Sequence, residues 1–138
     1  MQADFLDAHE RHWIDAERLF LARRYANADQ LYGMAAECGL KRLMVKFGMT
    51  VNSEGNPTDK EDLKHINKIW ERFESYRQGK FEGIDYGLPV PNPFNNWDVS
   101  DRYAHQSNFN QASVQLHKAG AEAICELIKK AQREGLLV

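Results

Sequence analysis

One short string in this sequence brings a proton carrier and a fixed cation together: Arg102-Tyr103-Ala104-His105, flanked by Asp98 and Asp101. A guanidinium offers phosphate a rigid fork of donors, and an imidazole moves a proton near neutral pH. Cleavage of a phosphodiester in RNA needs both, a base for the 2′-hydroxyl and a cation for the charge that develops. The plainer reading is structural: Arg102 pairs with Asp98 or Asp101, Tyr103 packs, and His105 caps the last helix. His9 and His12 stand one helical turn apart, a spacing that metals use. The string His9-Glu10-Arg11-His12 is not H-E-x-x-H, however, and no Glu-x-x-His pair occurs anywhere. The di-iron bundle pattern therefore fails, and neither a metal nor a cofactor is expected. Serine–histidine–aspartate catalysis, a P-loop and a dinucleotide fingerprint are also missing.

A second basic group, Lys41, Arg42 and Lys46, falls at the end of an apparent helix, where cations complement the helix dipole. It becomes a phosphate surface only if Arg102 folds over the same end, with Lys64 and His65 able to join it. His117-Lys118-Ala119-Gly120 resembles a histidine phosphotransfer site in part, but its lysine and glycine are out of place.

The elements that must position these groups are helical. Phe5, His12, Trp13, Ala16, Leu19, Phe20 and Arg23 mark one face of a helix from about Asp4 to Arg24. A second helix, from about Tyr25 to Phe47, repeats Ala28, Tyr32, Ala35 and Gly39 every three or four residues, a seam suited to close approach by a neighbour. No glycine or proline separates the two, and a hairpin suits their length better than one continuous helix. Asn52, Ser53, Gly55, Asn56 and Pro57 signal a loop. Thr58-Asp59-Lys60-Glu61 then reads as a capping box, opening a third helix with Leu63, Ile66, Trp70, Phe73 and Arg77 in register. The fourth runs from about Asn110 to Arg133 with Leu116, Ala119, Ala123, Ile124, Leu127, Ile128 and Ala131 inward. Between them, Gly79 to Phe109 holds Pro89, Pro91 and Pro93, which forbid a regular helix. It also holds Phe81, Tyr86, Phe94, Trp97, Tyr103 and Phe109. Rings at that density need burial or a ligand, so the segment is expected to pack over the bundle, with a short helix starting near Asp98 or Ser100.

With 138 residues and 15.9 kDa, one domain with one core over residues 1–138 is expected. Hydrophobic residues at 43 % and charged residues at 28 % exclude a disordered tail or a collagen-like fibre. The cysteines, Cys38 and Cys125, are too few for a disulfide scaffold. No apolar run reaches the roughly 20 residues of a membrane helix. Met1-Gln2-Ala3-Asp4 lacks the basic and apolar regions of a signal peptide, so a cytoplasmic protein with reduced thiols is expected. The net charge of -2 argues against non-specific DNA binding by bulk charge.

The run Ala28-Asp29-Gln30-Leu31-Tyr32-Gly33-Met34-Ala35-Ala36-Glu37-Cys38-Gly39-Leu40-Lys41 resembles the second helix of the HEPN-like superfamily. Trp97-Asp98-Val99-Ser100-Asp101-Arg102-Tyr103 resembles a segment near the start of that family's last long helix, and His65 stands where related chains often have a histidine. Together the resemblance spans roughly Ala8 to Ala131. It implies a helical bundle, a homodimer, and engagement of RNA or a nucleotide, in many members as a metal-independent ribonuclease. In other members it implies pairing with a nucleotidyltransferase as toxin and antitoxin. The family's histidine follows its arginine at a longer spacing than the two residues between Arg102 and His105.

The expectation is thus an all-α, up-and-down bundle of four to five helices with a long aromatic, proline-rich loop before the last helix. Arg102 grips phosphate, His105 is the candidate base, Tyr103 stacks a nucleobase, and Lys41 and His65 join the ligand surface. Whether the chain cleaves RNA stays open. The competing class is a non-catalytic dimerisation or interaction module with Arg102 as a loop anchor.

Overall fold

The computed structural model describes residues 1–138 as an all-α bundle of four helices. These are α1 (Phe5–Leu21), α2 (Tyr25–Lys46), α3 (Ile66–Arg77) and α4 (Gln111–Arg133). Helix α2 is the centre, and α1, α3 and α4 all pack on it. Its face of small side chains makes that possible. Ala28, Tyr32, Ala35 and Gly39 are all buried. A methyl group at Gly39 would lie 2.5 Å from Ile124 Cγ2 of α4 and 2.8 Å from His9 Nδ1 of α1. Tyr32, Leu40, Leu43, Met44 and Phe47 meet Ile66, Ile69 and Phe73 of α3 and Val114 and Ile124 of α4 in one core.

The turn between α1 and α2 forms without a glycine. Arg23 itself adopts the left-handed conformation, φ 61°. The Arg24 amide donates to Leu19 O at 2.8 Å and the Arg23 amide to Phe20 O at 3.0 Å. This is the hydrogen-bond pattern of a Schellman cap, with arginine in the place that usually suits glycine.

Helix α3 starts later than its sequence suggests. Asp59, not Thr58, is the cap: its carboxylate accepts from the Glu61 amide at 2.9 Å. It opens only a single 3₁₀ turn, Lys60–Leu63, before Lys64 and His65 return to extended backbone and α3 begins at Ile66. Asp62 is fully buried, accepting from Arg72 Nε at 2.8 Å and Tyr76 OH at 2.5 Å. That bond pattern ties the turn to α3 as a separate element, and Leu63 faces solvent. Leu116 and Ala119, also expected inward, are exposed. Helix α4 opens on a mutual cap in which the Ser113 amide donates to Asn110 Oδ1 at 2.8 Å and the Asn110 amide to Ser113 Oγ at 2.9 Å.

The segment from α3 to α4 lies on the bundle. Tyr86, Phe94 and Trp97 are buried, whereas Phe81 and Tyr103 stay exposed. Trp70 Nε1 donates to Pro89 O at 3.2 Å, and Asn92 Nδ2 to Asn67 O at 3.1 Å. The short helix expected near Asp98 is a 3₁₀ helix, Val99–Tyr103, followed by a second 3₁₀ turn at Gln106–Asn108. No helix is long and apolar enough to cross a membrane.

Candidate functional site

A sealed polar junction holds the site's second wall in place. Asp29 of α2 and His117 of α4 are both buried, with His117 Nδ1 2.5 Å from Asp29 Oδ1. His117 Nε2 lies 2.8 Å from Asn96 Oδ1, and the Phe94 ring stacks on the imidazole at 5.4 Å. Trp97 Nε1 donates to Asp29 O at 3.1 Å, its ring filling the space left by Gly33, where a methyl group would lie 2.2 Å away. Burying these groups is tolerable because each has a partner. Both nitrogens of His117 are engaged, so it presents no free nitrogen to accept a phosphoryl group. One residue further on, Gln30 Nε2 donates to Asp98 O at 2.9 Å. Residues 96–98 are therefore anchored to α2, and the turn carrying Arg102 starts from a fixed point.

Beyond that anchor a cleft of about 440 Å³ opens between the α1–α2 turn and residues 101–109. Arg23, Arg24 and Arg102 line it together with His105 and Ser107. None of the three guanidinium groups lies within 4.0 Å of a carboxylate oxygen. The acids expected to neutralise Arg102 are occupied elsewhere. Asp98 accepts from the Ser100 amide at 2.8 Å and Asp101 from the Asp98 amide at 3.2 Å. The Ser100 bonds hold the Asp98 carboxyl below its usual pKa range. Arg102 instead lies 4.9 Å from the centre of the Tyr103 ring, which is 78 % exposed.

The cleft floor carries positive polarity as well. Helix α2 begins there at Tyr25, Ala26 and Asn27 with no side-chain cap and no acidic residue in its first turn. Unpaired first-turn amides and the helix dipole both favour an anion. The structure thus joins Arg102 and His105, as their spacing suggests, and adds Arg23 and Arg24. Their only sequence signal was a junction without a glycine.

His105 does not cap α4. Its Nδ1 accepts from the Ser107 amide at 3.1 Å and lies 2.9 Å from Ser107 Oγ. With that lone pair engaged, the neutral ring carries its proton on Nε2 and acts as a donor.

Lys41 and His65 belong to a neighbouring cluster around Glu37. This glutamate is buried on α2, with Oε2 3.0 Å from Lys41 Nζ and Oε1 3.0 Å from His65 Nδ1. Lys41 is buried along with it. His65 is half-exposed, and the hydrogen bond to Glu37 raises its pKa above the ordinary 6.5. Glu37 appears in sequence only inside a helical run, with nothing to distinguish it from a solvated glutamate.

Other reactive side chains are quiet. Burial pushes the Cys38 and Cys125 thiols up to about 12, so neither is a ready thiolate. His9 is buried, its Nδ1 donating to Ala35 O at 2.7 Å, and burial lowers its pKa. No three histidine, cysteine, aspartate or glutamate side chains converge to hold a metal ion. No protein-family model matches the chain, and no curated protein or solved structure is similar to it.

Proposed function

We propose that this chain is a HEPN-like domain that engages single-stranded RNA or a nucleotide through the arginine cleft. The observation that carries the reading is three guanidinium groups without carboxylate partners, gathered around an uncapped helix N-terminus. Arginine forks match phosphate oxygens in geometry and charge. The exposed Tyr103 ring beside Arg102 offers a face on which a base can stack. A second cleft, along α3, sets Glu61 and Glu71 among Lys64, Lys68 and Arg72, so its charges largely cancel and it suits an anion less. The resemblance brings two further proposals: a homodimer in solution, and a nucleotidyltransferase as its partner in a toxin–antitoxin pair. A non-catalytic interaction module is the second reading, favoured by Phe81, Ile84 and Val90, which leave apolar surface exposed in one connecting segment.

Fluorescence anisotropy of a labelled single-stranded RNA at several salt concentrations tests the first reading. Arg102→Ala should weaken binding about tenfold, about 1.4 kcal/mol. It should also flatten the slope of log affinity against log salt by about 0.7, the value for one phosphate contact on a single strand. Equal titrations for wild type and variant would leave the interaction module as the better reading.

A further inference from the structure

The cations of the cleft come from two short segments and converge on one cavity. Arg23 and Arg24 enter from the α1–α2 turn and Arg102 from the opposite wall, with Asp101 the one acid among the lining residues. Three guanidinium groups against one carboxylate leave the lining with two net positive charges. Both walls are set before anything binds. The Arg23 and Arg24 amides donate to Phe20 O and Leu19 O, and Gln30 and Trp97 tie residues 96–98 to α2. Arg23 stands at φ 61°, a left-handed conformation that glycine adopts at lower cost, so the turn holds a guanidinium where its backbone favours no side chain. On the floor, the Tyr25, Ala26 and Asn27 amides meet no acceptor, and the first bond of α2 runs from the Ala28 amide to Arg24 O at 3.0 Å. His105 adds a further donor, since its Nδ1 accepts from the Ser107 amide and Nε2–H is left free.

A groove that tracks a strand is built differently, with its cations spread along several nucleotides. Here the cavity is about 440 Å³, the scale of a pocket for one small ligand. Lys41, Arg72 and Lys118 are paired with Glu37, Asp62 and Glu17, so they extend no basic track from it. An internal phosphodiester brings one negative charge, and the strand leaves it on both sides. A terminal monoester brings three acceptor oxygens and about 1.5 to 2 negative charges at pH 7, and it can enter end-on. Resting on the reading of this cleft as an RNA or nucleotide site, we propose that the group it selects is a terminal phosphate monoester rather than the backbone of the strand. The rest of the ligand also has a place. The half-buried Tyr25 and Phe109 rings line the same cavity and offer apolar surface to a sugar or base. Asp101 accepts from the Asp98 amide through Oδ2 alone, leaving Oδ1 for a ribose hydroxyl.

Anisotropy titrations of the full chain with short, internally labelled single-stranded RNAs of one sequence test this. The strands differ only at their ends: a 5′-phosphate, a 3′-phosphate, hydroxyls at both ends, or a 5′-phosphate blocked as its methyl ester. A free monoester at the 5′ or the 3′ end should tighten binding about 10- to 100-fold over the hydroxyl-ended strand, the worth of one charge-assisted hydrogen bond. The methyl ester, which keeps a single charge, should lose most of that gain. A nucleoside 5′-monophosphate should compete where the nucleoside does not. Competition as strong as that of the phosphorylated strand assigns the site to free nucleotides, and weaker competition assigns it to strand ends. Arg23→Asn, which tolerates the left-handed turn, and Arg102→Ala should each shrink the difference between phosphorylated and hydroxyl-ended strands, with urea midpoints confirming that both variants fold. Equal affinity for all four strands overturns the terminal-phosphate assignment and leaves the RNA reading standing. No binding of any strand or nucleotide removes both.

Discussion

Two polar regions lie on either side of residues 96–98, and they treat their charges differently. On the inner side, Asp29, His117 and Asn96 are closed off by Phe94 and Trp97, and every hydrogen-bonding nitrogen of the histidine is occupied. On the outer side, Arg23, Arg24 and Arg102 face an open cleft whose one acid, Asp101, is bonded to the Asp98 amide and pairs with none of them. The inner groups answer one another and so serve folding. The outer ones are unanswered, and their desolvation has to be offset by something that arrives from solution. Completeness of partners, more than burial alone, separates a polar group that builds the fold from one that recognises a ligand.

The widest gap between the regions should appear on cutting the inner one. His117→Leu leaves the Asp29 carboxylate buried without its partner, which should cost about 3–5 kcal/mol in urea denaturation. RNA affinity of the fraction that remains folded should fall only slightly, because Trp97 Nε1 and Gln30 Nε2 still tie the wall to α2 through Asp29 O and Asp98 O. A small shift in urea midpoint would mean that the junction is not a determinant of the fold.

Gly33→Ala should blur the division. The added methyl group meets the Trp97 indole at 2.2 Å, and overpacking of this kind costs about 1–3 kcal/mol. Because Trp97 anchors the wall that carries Arg102, stability and RNA affinity should fall together in this variant. Loss of stability with affinity intact would show that the wall is held independently of Trp97.

The smallest effect belongs to His65, at the border. Glu37 raises its folded pKa above the unfolded value of 6.5. Its stabilising contribution is therefore complete below 6.5 and disappears as pH rises through the higher folded value. Wild type should exceed His65→Gln in urea midpoint at about pH 6, with the difference closing as pH rises through the folded value. Solvent screening of a half-exposed pair keeps the gap under about 1 kcal/mol. A gap that widens with pH would contradict the bond to Glu37.

How much of this was readable in the sequence follows from the range of the interactions concerned. Helices α1, α2 and α4 repeat their apolar or small residues with helical period, and Asn110 stands where α4 is capped, so the bounds of α2 and α4 were legible to within a residue, while α1 ends at Leu21, three residues before the expected Arg24. Thr58 and Glu61 imitate a helix start, but Asp59 captures the Glu61 amide first and buried Asp62 locks the resulting turn. A local pattern therefore misplaced the start of α3. Arg102 and His105 were visible because they are neighbours in the chain. Arg23 and Arg24 join them only through the fold, and no spacing rule connects residues that far apart. Asp29 and Glu37 were hidden for a different reason. Each is a lone acid on a helix, and such residues usually face water.

The connection from Asp29 to Trp97 and His117 also has a consequence in time. The α1–α2 hairpin closes through local contacts, so the floor of the cleft and two of its arginines can form early in folding. The wall bearing Arg102 arrives only after the chain closes the long loop that brings residues 96–98 and α4 back onto α2, and loop closure of that kind is entropically slow. A partly folded chain with the hairpin alone displays Arg23 and Arg24 on an open surface, where they attract any polyanion weakly. The complete cleft belongs to the finished molecule, because its lining needs both the hairpin turn and residues 101–109.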